Sequence, residues 1–297
     1  MNVKGVDLSK HNGNIKIEDF KKAGYEFAIL RGGYTGYGSK RPKAKDPKFE
    51  DYYAQAKKIG FPVGCYYYSC ATSKQGGINE AEFLYENCLK GKQFEYPIYI
   101  DIEEERWQKN NKKGVTDAII GFCETLENKG YYVGIYSSVY WFNNYIDSAR
   151  IERYSKWVAA WRKTAPEFKW NGFKMWQNSD NGQIGNYIFD TNICYYDFPA
   201  VIKNKGLNGF KKATSTKPSN NTNSGKKPAE KPATAYFKRY TGNSISLVDA
   251  LKYIGVNASF TNRAKIARAN GIKIYTGSAK QNTQLLNKLK AGVLIKP

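Results

Sequence analysis

A repeated change of period constrains this chain more than any other feature. Short runs of β-branched and aromatic residues alternate with longer segments whose apolar residues recur every three to four positions, which is the signature of parallel βα units. VKGVDLS precedes IKIEDFKKAG, EFAILRGGY precedes PKFEDYYAQAKKIG, and PVGCYYYS precedes NEAEFLYENCLKG. PIYIDIE then precedes VTDAIIGFCETLENKG, and YYVGIYSS precedes a weaker helix around VYWFNNYI. After this fifth unit the helices vanish. Three strand-like runs, KWVAAW, FKMWQNS and YIFDTNICYY, follow one another closely. Five βα units plus three bare strands make eight strands, enough to close a barrel. The expected class is therefore α/β: a TIM-like (β/α)5β3 barrel, with a small helical C-terminal module after it.

Barrel enzymes carry their chemistry at the C-terminal ends of the strands, so acids that end a strand are the first candidates. Asp7 is placed at the end of the first strand, Asp101 and Glu103 at the end of the fourth, and Asp190 at the end of the eighth. The first and eighth strands meet at barrel closure, which brings acids distant in sequence to one mouth. Asp101 and Glu103 are two apart, so on a strand they project from one face. A carboxyl pair of this kind suits glycoside hydrolysis, in which one group protonates the leaving oxygen and another stabilises the cationic centre. Crowded carboxylates also raise one another's pKa, which keeps a proton available near neutrality. A metal site or a structural ion pair would use the same D-x-E spacing; four converging acids weigh against both.

Other residues narrow the chemistry. His11 is the only histidine, which argues against a His-based triad or a His-rich metal site and leaves a solvated loop residue or a minor substrate contact. Cys65, Cys70, Cys88, Cys123 and Cys194 are odd in number and include no CxxC pair, so reduced core thiols are expected. No metal or organic cofactor is called for. Arg31, before Gly32 and Gly33, is expected to pair with a mouth carboxylate such as Asp7. No run reaches the length of a membrane span and MNVKGVDLSK lacks an apolar signal region, so a cytoplasmic start is expected, without membrane insertion.

Charge and composition divide the chain. Residues 206–297 hold 17 Lys/Arg against Glu230 and Asp249, or +15 of the net +21. Such a field favours polyanions: nucleic acid, an anionic membrane or the phosphate-bearing polymers of a Gram-positive wall. The stretch NGFKKATSTKPSNNTNSGKKPAEKPATA leaves almost nothing to bury and reads as a tether. The expected organisation is a catalytic barrel at 1–207, a flexible basic linker at 208–235 and a small basic module at 236–297. Within the module, RYTGNS–ISLVDALKYIG is echoed by IYTGSA–NTQLLNKLKAG around a middle helix, SFTNRAKIARANG. Ser246 with Asp249 resembles a capping pair, and Gly255, Gly271 and Gly292 stand at helix stops. Arg263, Lys265 and Arg268 share one helix, but no nucleic-acid reader motif accompanies them, so nucleic acid is disfavoured as the partner.

GVDLSKHNG, FAILRGGY, PVGCYYYS, YPIYIDIE, GYYVGIYSS, KWVAAW and MWQNSDNGQIG…FDTNIC occur in an order and spacing that resembles the glycoside hydrolase family 25 muramidases over about the first 205 residues. The resemblance implies hydrolysis of the β-1,4 bond between N-acetylmuramic acid and N-acetylglucosamine. It places the acid at Glu103, its partner at Asp101 and two further mouth aspartates at Asp7 and Asp190. It favours a retaining route assisted by the substrate's own 2-acetamido group, with direct attack by Asp101 as the alternative. Tyr66, Tyr136 and Trp176 are expected to line the substrate site. Where the family often shows Tyr-His-Phe, this chain has Tyr66-Tyr67-Tyr68. The module resembles the wall-binding domains of phage endolysins and cell-wall amidases through its YTG-type motifs and LLNKLKAGVLIKP. An endolysin acting on a Gram-positive wall, delivered through a holin or released on lysis, is the expected role. A chitinase-like hydrolase and a catalytically inactive wall-binding scaffold are the competing readings.

Overall fold

The computed structural model describes residues 2–36, 40–167, 172–212, 236–258, 260–272, 275 and 277–297. They belong to two compact units, Met1–Lys217 and Pro218–Pro297.

The first unit is a closed barrel. Its strands are β1 (Val3–Leu8), β2 (Phe27–Thr35), β3 (Lys43–Lys45), β4 (Val63–Tyr68), β5 (Ile98–Asp101), β6 (Val133–Ser138), β7 (Ser155–Ala159), β8 (Phe173–Ile184) and β9 (Tyr187–Cys194). The order is β1-β9-β8-β7-β6-β5-β4-β2-β3, and a β1–β2 pairing closes the ring. β3 pairs only with the outer end of β2, so eight strands form the wall. Helices α1 (Ile17–Lys22), α2 (Phe49–Lys58), α3 (Lys74–Leu84), α4 (Glu105–Gln108), α5 (Lys112–Asn128) and α6 (Val139–Asn144) connect the parallel strands. α5 shows why they form: Val115, Ala118, Ile119, Phe122, Cys123 and Leu126 make one buried stripe, and Asn111 caps the start by accepting from the Gly114 amide.

Both strand faces are buried, and they divide two cores. Val6, Leu8, Ala28, Leu30, Val63, Cys65, Ile98, Ile100, Val133 and Ile135 face the helices. Phe27, Ile29, Tyr99, Tyr136, Trp157 and Met175 fill the barrel interior. Small residues make room for these rings: a Cβ at Gly5 would lie 2.2 Å from the Phe27 ring, and one at Gly134 would lie 2.4 Å from Tyr99. The lower interior is thus packed solid, which leaves the upper end for chemistry. All five cysteines are buried free thiols. No helix among the described residues is long and apolar enough to cross a membrane.

Three expectations need correction. First, the last strand does not end at Asp190. β9 runs antiparallel to both β8 and β1, so its beginning lies at the mouth, and Asp190 faces Asp7 in register. Second, the helices do not vanish after the fifth unit. α7 (Phe198–Lys205) follows β9, with Asp197 accepting from the Ala200 amide at its N-cap, and its Phe198 and Ile202 join the barrel interior at the closed end.

Third, the tether does not begin at Asn208. That side chain is fully buried; it donates to the Phe94 and Tyr96 carbonyls at 3.1 and 2.8 Å and accepts from the Tyr132 amide at 2.7 Å. Its backbone is left-handed, with φ 54°, a conformation asparagine tolerates better than most residues. The barrel unit therefore includes this latch, and residues 213–235 of the expected linker lie outside the described residues. Asn208→Ala should lower barrel stability by about 3 kcal/mol, because three buried polar groups lose their partner at once. Urea unfolding measures this; a loss below about 0.5 kcal/mol would show that the latch is ornamental.

The second unit holds α8 (Leu247–Tyr253), α9 (Phe260–Ala269) and α10 (Ala279–Ala291). Leu247, Leu251, Ile266, Leu285, Leu289 and Leu294 form a core of its own. The Ser246 hydroxyl accepts from the Asp249 amide at 3.3 Å, and Gly255, Gly271 and Gly292 all have φ between 74° and 87°, the left-handed helix stop.

Candidate active site

Alternation decides which residues reach the mouth. On β1, Val6 and Leu8 face the helices, so Asp7 faces inward. β5 ends on Asp101, opposite Tyr68 of β4 and Tyr136 of β6. Glu103 lies two residues beyond the strand rather than on it.

A network of neutral amides holds two of the acids. The Gln177 Nε2 donates to Asp7 at 3.1 Å and lies 3.4 Å from Asp190, while Asn192 donates to the same Asp7 oxygen at 2.8 Å. Asn192 in turn accepts from the Trp157 indole at 2.7 Å. The Gln177 oxygen accepts from the Tyr136 hydroxyl at 2.8 Å and from the Trp161 indole at 3.1 Å. One glutamine thereby ties two carboxylates to two aromatic rings, and its amide can fill each role because it both donates and accepts.

The acids press on one another electrostatically. Burial and then the charge of Asp190 raise the Asp7 pKa well above its ordinary value. Burial, followed by Glu103 and Asp7, does the same for Asp101, with Arg31 opposing. Asp190 is also raised, first by burial. Glu103 is open to solvent at the mouth, yet protein atoms crowd its carboxyl. That desolvation, followed by the charges of Asp190 and Glu104, raises its pKa to about 7. Glu103 therefore keeps its proton up to near-neutral pH, as a general acid requires.

The stretch carrying Glu103 is firmly mounted. The Ile102 amide donates to Tyr136 O at 3.0 Å, and the Ser137 hydroxyl donates to Ile102 O at 2.5 Å. The Glu104 amide donates to Gln108 at 3.1 Å, and the Gln108 amide group reaches Ser69 O and Ala71 O at 3.2 and 3.1 Å. The Tyr68 hydroxyl donates to the Glu104 carboxylate at 2.8 Å.

Of the expected lining residues, Tyr66 and Tyr136 reach this region. Tyr136 senses all four acids, and the half-buried Tyr66 senses Asp7 and Asp101. Trp176 does not. It lies between the inward Met175 and Gln177, so it points to the other face, 4% exposed, with its indole donating to Ala160 O at 2.7 Å. Trp161, 59% exposed and bonded to Gln177, is the accessible indole at this wall, and the sequence reading missed it. Arg31 pairs with Asp46 at 2.7 Å rather than with Asp7. His11 sits on the short turn after β1, its pKa lowered by burial and then by Arg31 and Lys10. Among the described residues, no group of three or more His, Cys, Asp or Glu is arranged to hold a metal ion.

Comparison with known proteins agrees with the barrel fold. Residues 6–187 match the family model described as glycosyl hydrolases family 25. The lysozyme of Streptomyces coelicolor is similar in fold, with 24% identity, a TM-score of 0.57 and coverage of 67% of this chain and 95% of that one. The catalytic domain of endolysin ply40, from bacteriophage P40 of Listeria monocytogenes, gives 22%, 0.55, 68% and 97%. Among curated proteins, the L-alanyl-D-glutamate peptidase of Listeria phage A118 is 54% identical over 50 residues, 17% of this chain. The endolysin of Listeria phage A511 is 40% identical over 65 residues, 22% of this chain. The matches span only 18% of each of those two proteins.

Proposed function

The chain belongs to the glycosyl hydrolases of family 25, and from that premise we propose that it is a muramidase cutting the β-1,4 bond after N-acetylmuramic acid in bacterial peptidoglycan. One observation carries this reading: four carboxyl groups share one barrel mouth, and Glu103 among them holds its proton up to about pH 7. Glu103 protonates the glycosidic oxygen as the bond breaks. Asp101 offers a buried oxygen, Oδ1, that has no partner in the protein. The N–H of the substrate's 2-acetamido group satisfies that oxygen, and the acetamido oxygen, so oriented, attacks the anomeric carbon. This favours the substrate-assisted route over direct attack by Asp101. Burial, with the charges of Asp190 and Glu104, keeps Glu103 protonated, Gln177 braces Asp7 and Asp190, and Tyr66, Tyr136 and Trp161 offer ring faces to the sugars.

The basic second unit anchors the enzyme to the wall. The curated matches cover 50 and 65 residues, the length of a small module rather than a barrel, and one of those proteins is named as a peptidase. The net charge of +10 over residues 236–297 suits adhesion to the phosphate-bearing polymers of a Gram-positive wall, and the chain acts at the wall as an endolysin.

Digestion of purified wall followed by mass spectrometry tests the reaction. Reducing muramic acid ends are expected; reducing glucosamine ends, or soluble fragments from chitin alone, would overturn the assignment. In the same assay Asp101→Asn should lose at least about a hundredfold in rate, since the intermediate loses its negative partner.

A further inference from the structure

Arg31 is a basic side chain built into the inner wall near the acids. On β2, Phe27 and Ile29 point into the barrel while Ala28 and Leu30 face the helices, so Arg31 continues the inner face. Its side chain is 10% exposed, and Nε lies 2.7 Å from Asp46 Oδ2. The Lys10 amide at 3.0 Å and the Lys48 amide at 2.8 Å share the remaining capacity of the Asp46 carboxylate. The Tyr34 ring lies 5.2 Å from the guanidinium carbon. One guanidinium nitrogen, Nη2, is left buried without a partner. A buried donor of that strength left unmatched is costly, and such orphans in a native fold call for a ligand or a functional reason.

The matching orphan is Asp101 Oδ1. Arg31 pairs in register with Tyr66 of β4, and β4 places Tyr68 opposite Asp101. Passing round the mouth, the order is Glu103 and Asp101, then Tyr66, then Arg31. The Tyr66 hydroxyl senses both Arg31 and Asp101.

We propose that Arg31 recognises the 3-O-lactyl group that distinguishes N-acetylmuramic acid from N-acetylglucosamine. The inference rests on the muramidase reading and deepens it. With Glu103 at the oxygen on C1 and Asp101 at the acetamido group on C2, the substituent on C3 falls beyond Asp101, on the side where Arg31 waits. A lactyl group offers acceptors there in either of its states: a carboxylate when free, an amide carbonyl when it carries a peptide. A guanidinium N–H serves both, and most strongly the carboxylate. N-acetylglucosamine presents only a hydroxyl. Arg31 is thus a specificity residue that selects muramic acid over chitin-like sugars.

The test uses the full chain with Glu103→Gln, so that bound sugar is not cut, and measures affinity by calorimetry for two ligands. One is the alternating muramic acid–glucosamine tetrasaccharide; the other is chitotetraose. The first should bind at least about tenfold more tightly, and Arg31→Lys, which keeps the charge beside Asp46 but loses the forked donors, should erase most of that ratio while leaving chitotetraose unchanged. Should Arg31→Lys fail to fold, the Arg31 side-chain ¹⁵N–¹H resonance of the Glu103→Gln protein gives the answer: it shifts with the muramic ligand and stays still with chitotetraose. Equal weakening of both ligands, an unmoved ratio, or an unmoved resonance overturns the role of Arg31. Binding of neither ligand would overturn the muramidase reading itself.

Discussion

Glu103→Gln should lower the rate of wall cleavage by at least about a hundredfold without unfolding the chain. Glutamine keeps the shape and polarity of the side chain and lacks the transferable proton. The wild-type rate should fall as pH rises through about 7, where Glu103 gives up that proton. Stability supplies an independent check with a definite sign. The folded-state pKa lies above the ordinary value of 4.5, so between those values the native state holds a proton that the unfolded chain has released. The native state is therefore favoured below this window, and that advantage is lost as pH rises through it. Glutamine carries no such penalty, so at pH 8 the variant should melt no lower than wild type. A variant that is well folded yet keeps more than a tenth of wild-type turnover would show that another group donates the proton.

The alternation of periods made the barrel legible because each parallel strand is a short apolar run and each helix shows one buried stripe. The acids were legible for a related reason: a carboxylate inside an apolar strand demands an explanation. Where both faces of a strand are buried, however, hydropathy cannot say which face is inside. Strand-end position and the family pattern point Trp176 to the mouth, and only the packing of Met175 into the interior and the bonds of Gln177 to the acids show that its neighbours point in instead.

The supporting shell was illegible. Gln177 and Asn192 look like ordinary strand amides until β9 folds back against β1 and brings them to Asp7. Asp46 pairs with Arg31 from outside the strand pattern, 15 residues away, and no period announces it. Asn208 was hidden by its neighbours, since composition averages over a window while its burial depends on three backbone groups from elsewhere.

That hidden latch fixes where the chain should be cut to separate its two tasks. Residues 1–212 retain Asn208 and should fold and cleave soluble glycan fragments as well as the full chain does; residues 1–207 lose the latch and should be markedly less stable. On intact walls, 1–212 should be at least about a hundredfold weaker, because a tethered module turns the enzyme's encounter with its substrate into an intramolecular event. The module has its own core, so residues 213–297 can be assayed alone by pelleting with purified walls. Residues 236–297 carry 11 Lys/Arg against Asp249, or +10, and the part of the adhesion due to that charge should fall as salt rises. Contacts to wall sugars or peptides should persist. Wall binding that survives moderate salt, with weak binding to duplex DNA, is the expected result. Strong DNA binding with no wall binding at low salt would remove the anchoring role and, with it, the reason for the expected gap between the full chain and 1–212 on intact walls.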